Sequence, residues 1–305
     1  MTTSSLAAPA APPDPTLLEL TSNPADRLWR YPLARQLLRV APRWLTPMHV
    51  TVFHTLMAFG AAALVLDGRP WALATAFGLY ELRAVLDCFD GVLARARKLA
   101  SPLGRAIDQA ADSVSFVAFI TAVGVHLGHR HGALYGVSMA VLATLATASG
   151  TACWDYFRRR FSSLIEKGHD EVEAEFVEVE RAWRAHGGFA RWYARVVATY
   201  QFMLLNPSAL RRVRARAEVA QSPDDPSELR LVARLREAAA RDDRELRAAL
   251  WQIGLAGGDS TYFLLTLSTG LGAMHAGVLG ATAFTVLCVL VTTLSCTRLL
   301  SRDAD

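Results

Sequence analysis

Lysine is nearly missing from this 305-residue chain: of 32 basic residues, only Lys98 and Lys167 are not arginine. Charge in general is scarce, at 20% of residues, while 52% are hydrophobic and the mean hydropathy is +0.22. Soluble domains carry about 25% charged residues and fewer apolar ones. This balance excludes a disordered chain, a collagen and a small disulfide scaffold, and it calls for apolar stretches long enough to span a bilayer. Cysteine is sparse too. Cys88, Cys153, Cys288 and Cys296 form no CxxC and no metal-ligand spacing, so they read as small buried hydrophobes and not as redox or zinc groups. The net charge of +4 and a pI near 9.0 are modest, and fit membrane topology better than nucleic-acid binding. Also absent is a basic stretch leading into an apolar one near residue 1; residues 1–26 read as a flexible tail and not as a signal peptide.

Within 26–44, Leu28, Trp29, Leu33, Leu37 and Leu38 alternate with Arg27, Arg30, Arg35 and Arg39, the composition of a helix lying in the membrane interface. Six apolar stretches follow, at about 47–66, 71–93, 102–127, 132–157, 246–271 and 275–294. At about 1.5 Å per residue each can cross a hydrocarbon core of about 30 Å. Between the fourth and fifth lies a polar insert, 158–247, that reads as helices. Val172, Phe176, Val179 and Trp183 give it one apolar stripe, and Asp225-Pro226-Ser227-Glu228 reads as a helix start whose helix could run on into the fifth stretch. The expected fold is an all-α integral membrane protein, a six-helix transmembrane bundle with a helical cytoplasmic insert. Its parts are 1–46 (tail and interfacial helix), 47–157 (spans one to four), 158–247 (insert) and 248–305 (spans five and six). Arginines crowd the segment before span one, the 2–3 loop, the insert and the end of the chain. That places both termini on the cytoplasmic side of the cell membrane.

Carboxylates inside or beside apolar helices are costly and are functional candidates by default. Here Asp87, Asp90, Asp108 and Asp112 fall close together. At 100° per residue, Asp87, Asp90, Gly91, Ala94 and Arg95 share one arc of the second span, while Gly104, Asp108 and Asp112 line one stripe of the third. Four carboxylates converge only around a cation, and an oxygen-only donor set argues for Mg²⁺ or Mn²⁺, with two ions for four ligands. Glycine and alanine on that face admit a substrate against the backbone. Arg95 suits phosphate. Ser101-Pro102 reads as the N-cap and first residue of the third span, offering a hydroxyl and free N–H groups to a phosphate.

The pattern Asp87-x2-Asp90-Gly91-x2-Ala94-Arg95-x8-Gly104-x3-Asp108-x3-Asp112 resembles, without gap or substitution, the signature of the CDP-alcohol phosphotransferase family. The resemblance implies transfer of a phosphatidyl or phospho-alcohol group from a CDP-linked alcohol or CDP-diacylglycerol to a hydroxyl acceptor, with release of CMP. It also implies a homodimer of six-helix bundles with a cytoplasm-facing binuclear site. Carried over, Asp87, Asp90, Asp108 and Asp112 bind the metals and Asp112 is also the general base. Gly91, Ala94, Arg95, Ser101 and Gly104 hold the CDP moiety. Many relatives carry Pro-Asn-x-x-Thr at the start of the first span; here Met48 replaces the Asn and Thr51 remains. Asp112-Ser113-Val114-Ser115-Phe116 is similar to the phosphatidylserine synthase branch, and Ser101-Pro102-Leu103-Gly104 to the choline/ethanolamine branch, so the residues leave open which substrate is the lipid.

Outside the motif, Arg83 and Asp259 are candidates for the acceptor pocket or for supporting the acidic cluster. His126, His129 and His131 are expected as solvated loop residues. Gly277, Gly280, Ala146 and Gly150 suit close helix packing or a dimer face. A divalent-cation carrier or an inactive scaffold is the non-enzyme alternative. A carrier would spread its carboxylates near mid-bilayer and open to both sides.

Overall fold

The computed structural model describes residues 19–218 and 226–301, and all its regular elements are helices. A π-helical turn, Asp26–Arg30, leads into α1, Tyr31–Val40. Thr46 then caps α2, Pro47–Asp67: its hydroxyl accepts from the His49 N–H while the His49 ring accepts from the Thr46 N–H, with Pro47 pre-set for the first turn. Gly68, at φ 70°, ends α2 in the left-handed conformation that favours glycine. α3 runs Pro70–Ala96 and α4 Pro102–His131, and Ser101 Oγ caps α4 by accepting from Gly104 N at 3.0 Å. α5, Ala133–Ser162, follows with a π-helical turn at Ser163–Lys167. The insert folds as α6 (Glu171–His186), α7 (Phe189–Leu205), α8 (Pro207–Glu218) and α9 (Pro226–Ala240). α10 (Arg244–Ala256), α11 (Gly258–Gly270) and α12 (Met274–Leu299) complete the chain.

Three expectations need correction. The stretch 246–271 is not one helix: it breaks at Gly257, which caps α11. The helix opened near 226 does not run into it either, because Asp242 adopts a positive φ of 53° between α9 and α10. Its proposed cap, Asp225, lies outside the described residues, as do 1–18 and 302–305. Third, α4 continues through His131, so the three histidines sit on its last turns and not in a loop. His126 is buried and bonds to the Val65 backbone, and the His131 ring packs on Tyr135 and faces His275.

Among the described residues, four helical stretches are long and apolar enough to cross a membrane: Pro47–Asp67, Pro102–His131, Ala133–Lys167 and Met274–Leu299. α3 has the length as well, at 27 residues, but Glu81, Arg83, Asp87 and Asp90 interrupt its apolar run. Outward-facing Phe53, Leu56, Phe59, Val137, Val141 and Leu145 leave apolar surface that a bilayer would cover.

The chain divides into two compact units. In the unit formed by 22–151 and 255–288, α2 packs on α3 and α4, and α11 packs on α3. Its core holds Tyr80, Phe119 and Tyr262, whose rings meet edge-on at centroid separations of 4.8–5.9 Å. Gly150 lies against the backbone of Ala256 and Gly258, Gly277 lies against Ser268, and Gly280 faces open space. Arg97 ties the α3–α4 loop to the segment after α1, donating to the carbonyls of Ala41, Pro42, Arg43 and Leu45.

The other unit holds the described parts of 1–21, 152–254 and 289–305. Here Arg160 is wholly buried yet fully paired. It donates to Asp170 at 2.8 and 2.5 Å, to Glu173 at 3.0 Å and to the Tyr156 hydroxyl at 3.0 Å. Arg216 bridges Glu173 and Glu228. On α6, burial pushes the Glu180 carboxyl up, but hydrogen bonds from Arg195 and Arg184 more than offset it and leave the group below its ordinary value. α7 turns Phe189, Trp192, Tyr193, Tyr200 and Met203 outward.

Candidate active site

The motif's spacing becomes a site because α3 and α4 each present one stripe and α2 closes the side. Asp87 and Asp90 lie one turn apart on α3, and Asp108 comes from the second turn of α4. One ligand atom each from Asp87, Asp90, Asp108 and His54 of α2 lie within 4.8 Å of one another. The structure thus gathers three of the four aspartates.

Asp112 is engaged otherwise: the Arg83 guanidinium, one turn before Asp87, donates to its Oδ1. Arg83 is buried, at 6% exposure, while the Asp112 side chain is half exposed. Arg83 and Asp112 thus form an ion pair beside the cluster. Thr51 stands behind the cluster and donates to Asp90 Oδ2 at 2.8 Å, as well as to the Pro47 carbonyl of its own helix. Asp90 is thereby fixed in one orientation.

His54 was missed by reading the first span only for Asp, Glu, Lys and Arg. The signal was available: a histidine three residues after Thr51, on the same face, in an otherwise apolar run. It is completely buried, and its Nε2 lies 3.3 Å from Asp90 Oδ2 and 3.8 Å from Asp87 Oδ1.

Two carboxylate oxygens, Asp87 Oδ1 and Asp108 Oδ1, are buried with no hydrogen-bond partner among the described residues. Buried anionic oxygens left bare are costly, and here they converge with two further donors. The residues therefore fit a divalent cation. Hydrogen-bond partners within the protein do not do this job, since Thr51 serves Asp90 alone.

Beside the carboxylates, the face expected to take the nucleotide is open. A side chain at Gly91 would meet only the Arg95 guanidinium, which folds back over it at 3.4 Å, and one at Gly104 would meet Ser101 Oγ at 3.1 Å. Ala94 continues the same stripe of α3, and Ser101 and Arg95 are exposed. The first turn of α4 also presents backbone N–H groups without helical partners, the usual seat of an anion.

Asp259 is exposed in the first turn of α11 and lies within electrostatic range of Asp26, Arg30, Asp112 and Arg83. Close by, Arg30 is held by Glu81 at 2.7 Å and Asp26 at 3.0 Å, and Trp29 Nε1 donates to Glu81. Asn23 donates to Ser260 at 3.1 Å. These contacts fasten the 23–30 segment to α3 and α11, and sequence reasoning did not foresee them.

Comparison with known proteins covers the segment that carries the site. The family model described as CDP-alcohol phosphatidyltransferase matches residues 44–162, which include α2, α3, α4 and all four aspartates. A curated protein of Cereibacter sphaeroides named CDP-diacylglycerol–glycerol-3-phosphate 3-phosphatidyltransferase is 43% identical over 75 residues, covering 24% of this chain and 34% of that protein. The chain thus spans about a third of the length of the curated relative it matches. No solved structure matches. Residues 44–162, where α3 and α4 bring the aspartates together, are thus similar to the CDP-alcohol phosphatidyltransferase family.

Proposed function

We propose that this protein transfers a phosphatidyl group from CDP-diacylglycerol to a hydroxyl acceptor at the cytoplasmic face of the cell membrane, releasing CMP in phospholipid biosynthesis. The observation that carries the reading is the convergence of Asp87, Asp90 and Asp108 with bare, buried oxygens beside the side-chain-free face of Gly91 and Gly104. The matched relative's name favours a CDP-diacylglycerol donor. CDP-choline/ethanolamine-type transfer to a lipid is the second reading, favoured by Ser101-Pro102-Leu103-Gly104 at the start of α4.

Asp87, Asp90 and Asp108 would hold Mg²⁺ or Mn²⁺, and Asp112 would join a second ion. The ions supply charge neutralisation for the diphosphate. Gly91 and Ala94 let the diphosphate lie against α3, Arg95 pairs with it, and Ser101 at the start of α4 receives the phosphate nearest the cytidine. The acceptor oxygen attacks the lipid-linked phosphorus in line, the bond to the CMP oxygen breaks, and Asp112 takes the hydroxyl proton. Arg83 fixes the direction in which Asp112 points. Asp259, exposed beside this pair, would contact the acceptor.

Six spans are proposed: α2, α3, α4, α5, the broken pair α10–α11, and α12. Residues 158–247 and both termini lie in the cytoplasm, α1 and the aromatic face of α7 rest on the bilayer surface, and the chain works as a homodimer. A cation carrier fits less well, because the three gathered carboxylates lie toward one end of α3 and α4.

The test is a transfer assay with the full-length protein in liposomes. Labelled CDP-diacylglycerol and labelled CDP-choline are offered with a panel of alcohols, and CMP release is read against label partition. Lipid-phase product from CDP-diacylglycerol with an alcohol supports the proposal. Product from CDP-choline alone selects the second reading, and no CMP from any donor sinks both.

A further inference from the structure

Glutamate and aspartate oxygens suit Mg²⁺, whereas an imidazole nitrogen in the same set moves preference toward transition ions such as Mn²⁺. The site of this chain is not all oxygen. His54 is wholly buried, and one of its ring nitrogens lies within 4.8 Å of oxygens from Asp87, Asp90 and Asp108.

An ordinary hydrogen-bonding role explains this imidazole poorly. Its Nε2 is 3.3 Å from Asp90 Oδ2, longer than the ~2.7–2.9 Å usual for an N–H group facing a carboxylate. The same oxygen already accepts from Thr51 at 2.8 Å. Nδ1 is buried with no partner among the described residues, so none of them steers the ring from behind by a second bond. What Nε2 does face is the space shared with Asp87 Oδ1, 3.8 Å away, itself a bare oxygen.

We infer that His54 is a fourth ligand, through Nε2, to the ion held by Asp87, Asp90 and Asp108, giving a one-nitrogen, three-carboxylate site that selects Mn²⁺ over Mg²⁺. This rests on the metal reading above. It goes further in assigning a ligand from outside the aspartate motif and a preference between two ions. Nitrogen ligation adds affinity for the ion with the greater taste for imidazole, while Mg²⁺ gains little.

The experiment uses full-length protein in detergent, loaded with Mn²⁺ alone, and pulsed electron paramagnetic resonance to detect nitrogen bound directly to the ion. Wild type should show coupling from a single imidazole nitrogen. That coupling should change to the ¹⁵N pattern when the chain is made with ¹⁵N-histidine, a label that leaves folding untouched. His54→Gln should abolish the coupling while Mn²⁺ still binds. Competition calorimetry should give wild type an Mn²⁺ preference over Mg²⁺ at least ~10-fold greater than that of His54→Gln. Mn²⁺ bound without histidine coupling, or coupling that survives in His54→Gln, overturns the assignment and leaves the aspartate site standing. Absence of Mn²⁺ binding in wild type overturns both.

Discussion

Two regions of this molecule bury carboxylates, and they do so in opposite ways. Around Arg160, Asp170 and Glu173 face a guanidinium that donates to both, and Asp170 also caps α6. Around Asp90, three carboxylates and an imidazole face one another, and two oxygens have no hydrogen-bond partner among the described residues. Paired burial fixes a structure, because removing either partner exposes the full cost of the other. Unpaired convergence is destabilising by itself and makes sense only when something outside the chain completes it.

The sharpest way to break that contrast is to remove divalent ions. Transfer should vanish in excess chelator and return with Mn²⁺ or Mg²⁺, as read by CMP release; full turnover in chelator would erase the distinction. Next, Asp87→Asn and Asp108→Asn should each lower transfer by at least ~10³-fold, from loss of charge neutralisation in the transition state. In metal-free buffer the same variants should unfold at an equal or higher temperature than wild type, since one of several like charges is gone. A fall in the unfolding midpoint would show that these carboxylates are structural.

The insert should answer in reverse. Arg160→Met leaves Asp170 and Glu173 unpaired in the interior and should cost about 3–5 kcal/mol of stability, measured by denaturant unfolding, while transfer per folded molecule changes little. Smaller again is Asp259→Ala. Loss of one charged hydrogen bond to substrate should lower acceptor kcat/KM by about ten- to a hundredfold, near 1.5–3 kcal/mol, with donor binding kept within a few-fold. Lost donor binding would instead place Asp259 with the supports of the acidic cluster.

The smallest effect concerns Glu180. Its folded value lies below its unfolded one, so its contribution to stability is complete above about pH 4.3 and is lost as pH falls through the folded value. Glu180→Gln should therefore lose stability near neutrality and approach wild type in acid, in unfolding midpoints taken across pH 3–7. A constant gap at every pH would rule this out.

Much of this was legible in the sequence because the relevant signals are local. Helical spacing alone placed Asp87 with Asp90 and Asp108 with Asp112 on shared faces, and Ser101-Pro102 marked the start of α4. What stayed hidden depends on contacts between distant segments. Nothing in their neighbours said that Arg83 would turn to Asp112 or that Arg30 would reach Glu81 across 51 positions, and the placement of His54 beside Thr51 gave its face but not its aspartate partners. The break at Gly257 was hidden for another reason. A glycine pair inside an apolar run is tolerated by a helix as readily as it ends one, and here the close approach of Gly150 and Thr151 to Gly258 accompanies the end.

The grip of Arg97 on the carbonyls of Ala41, Pro42, Arg43 and Leu45 has a consequence for exchange between the two basic residues. A guanidinium spreads five N–H groups over a plane and can serve several acceptors at once, whereas an ammonium concentrates three donors at one point and holds its own water tightly. Arg97→Lys would therefore conserve every feature by which membrane orientation is read, yet leave carbonyls of the 41–45 turn to find other donors. The two residues count alike for which side of the bilayer a loop occupies, and unlike for whether the loop keeps its shape there.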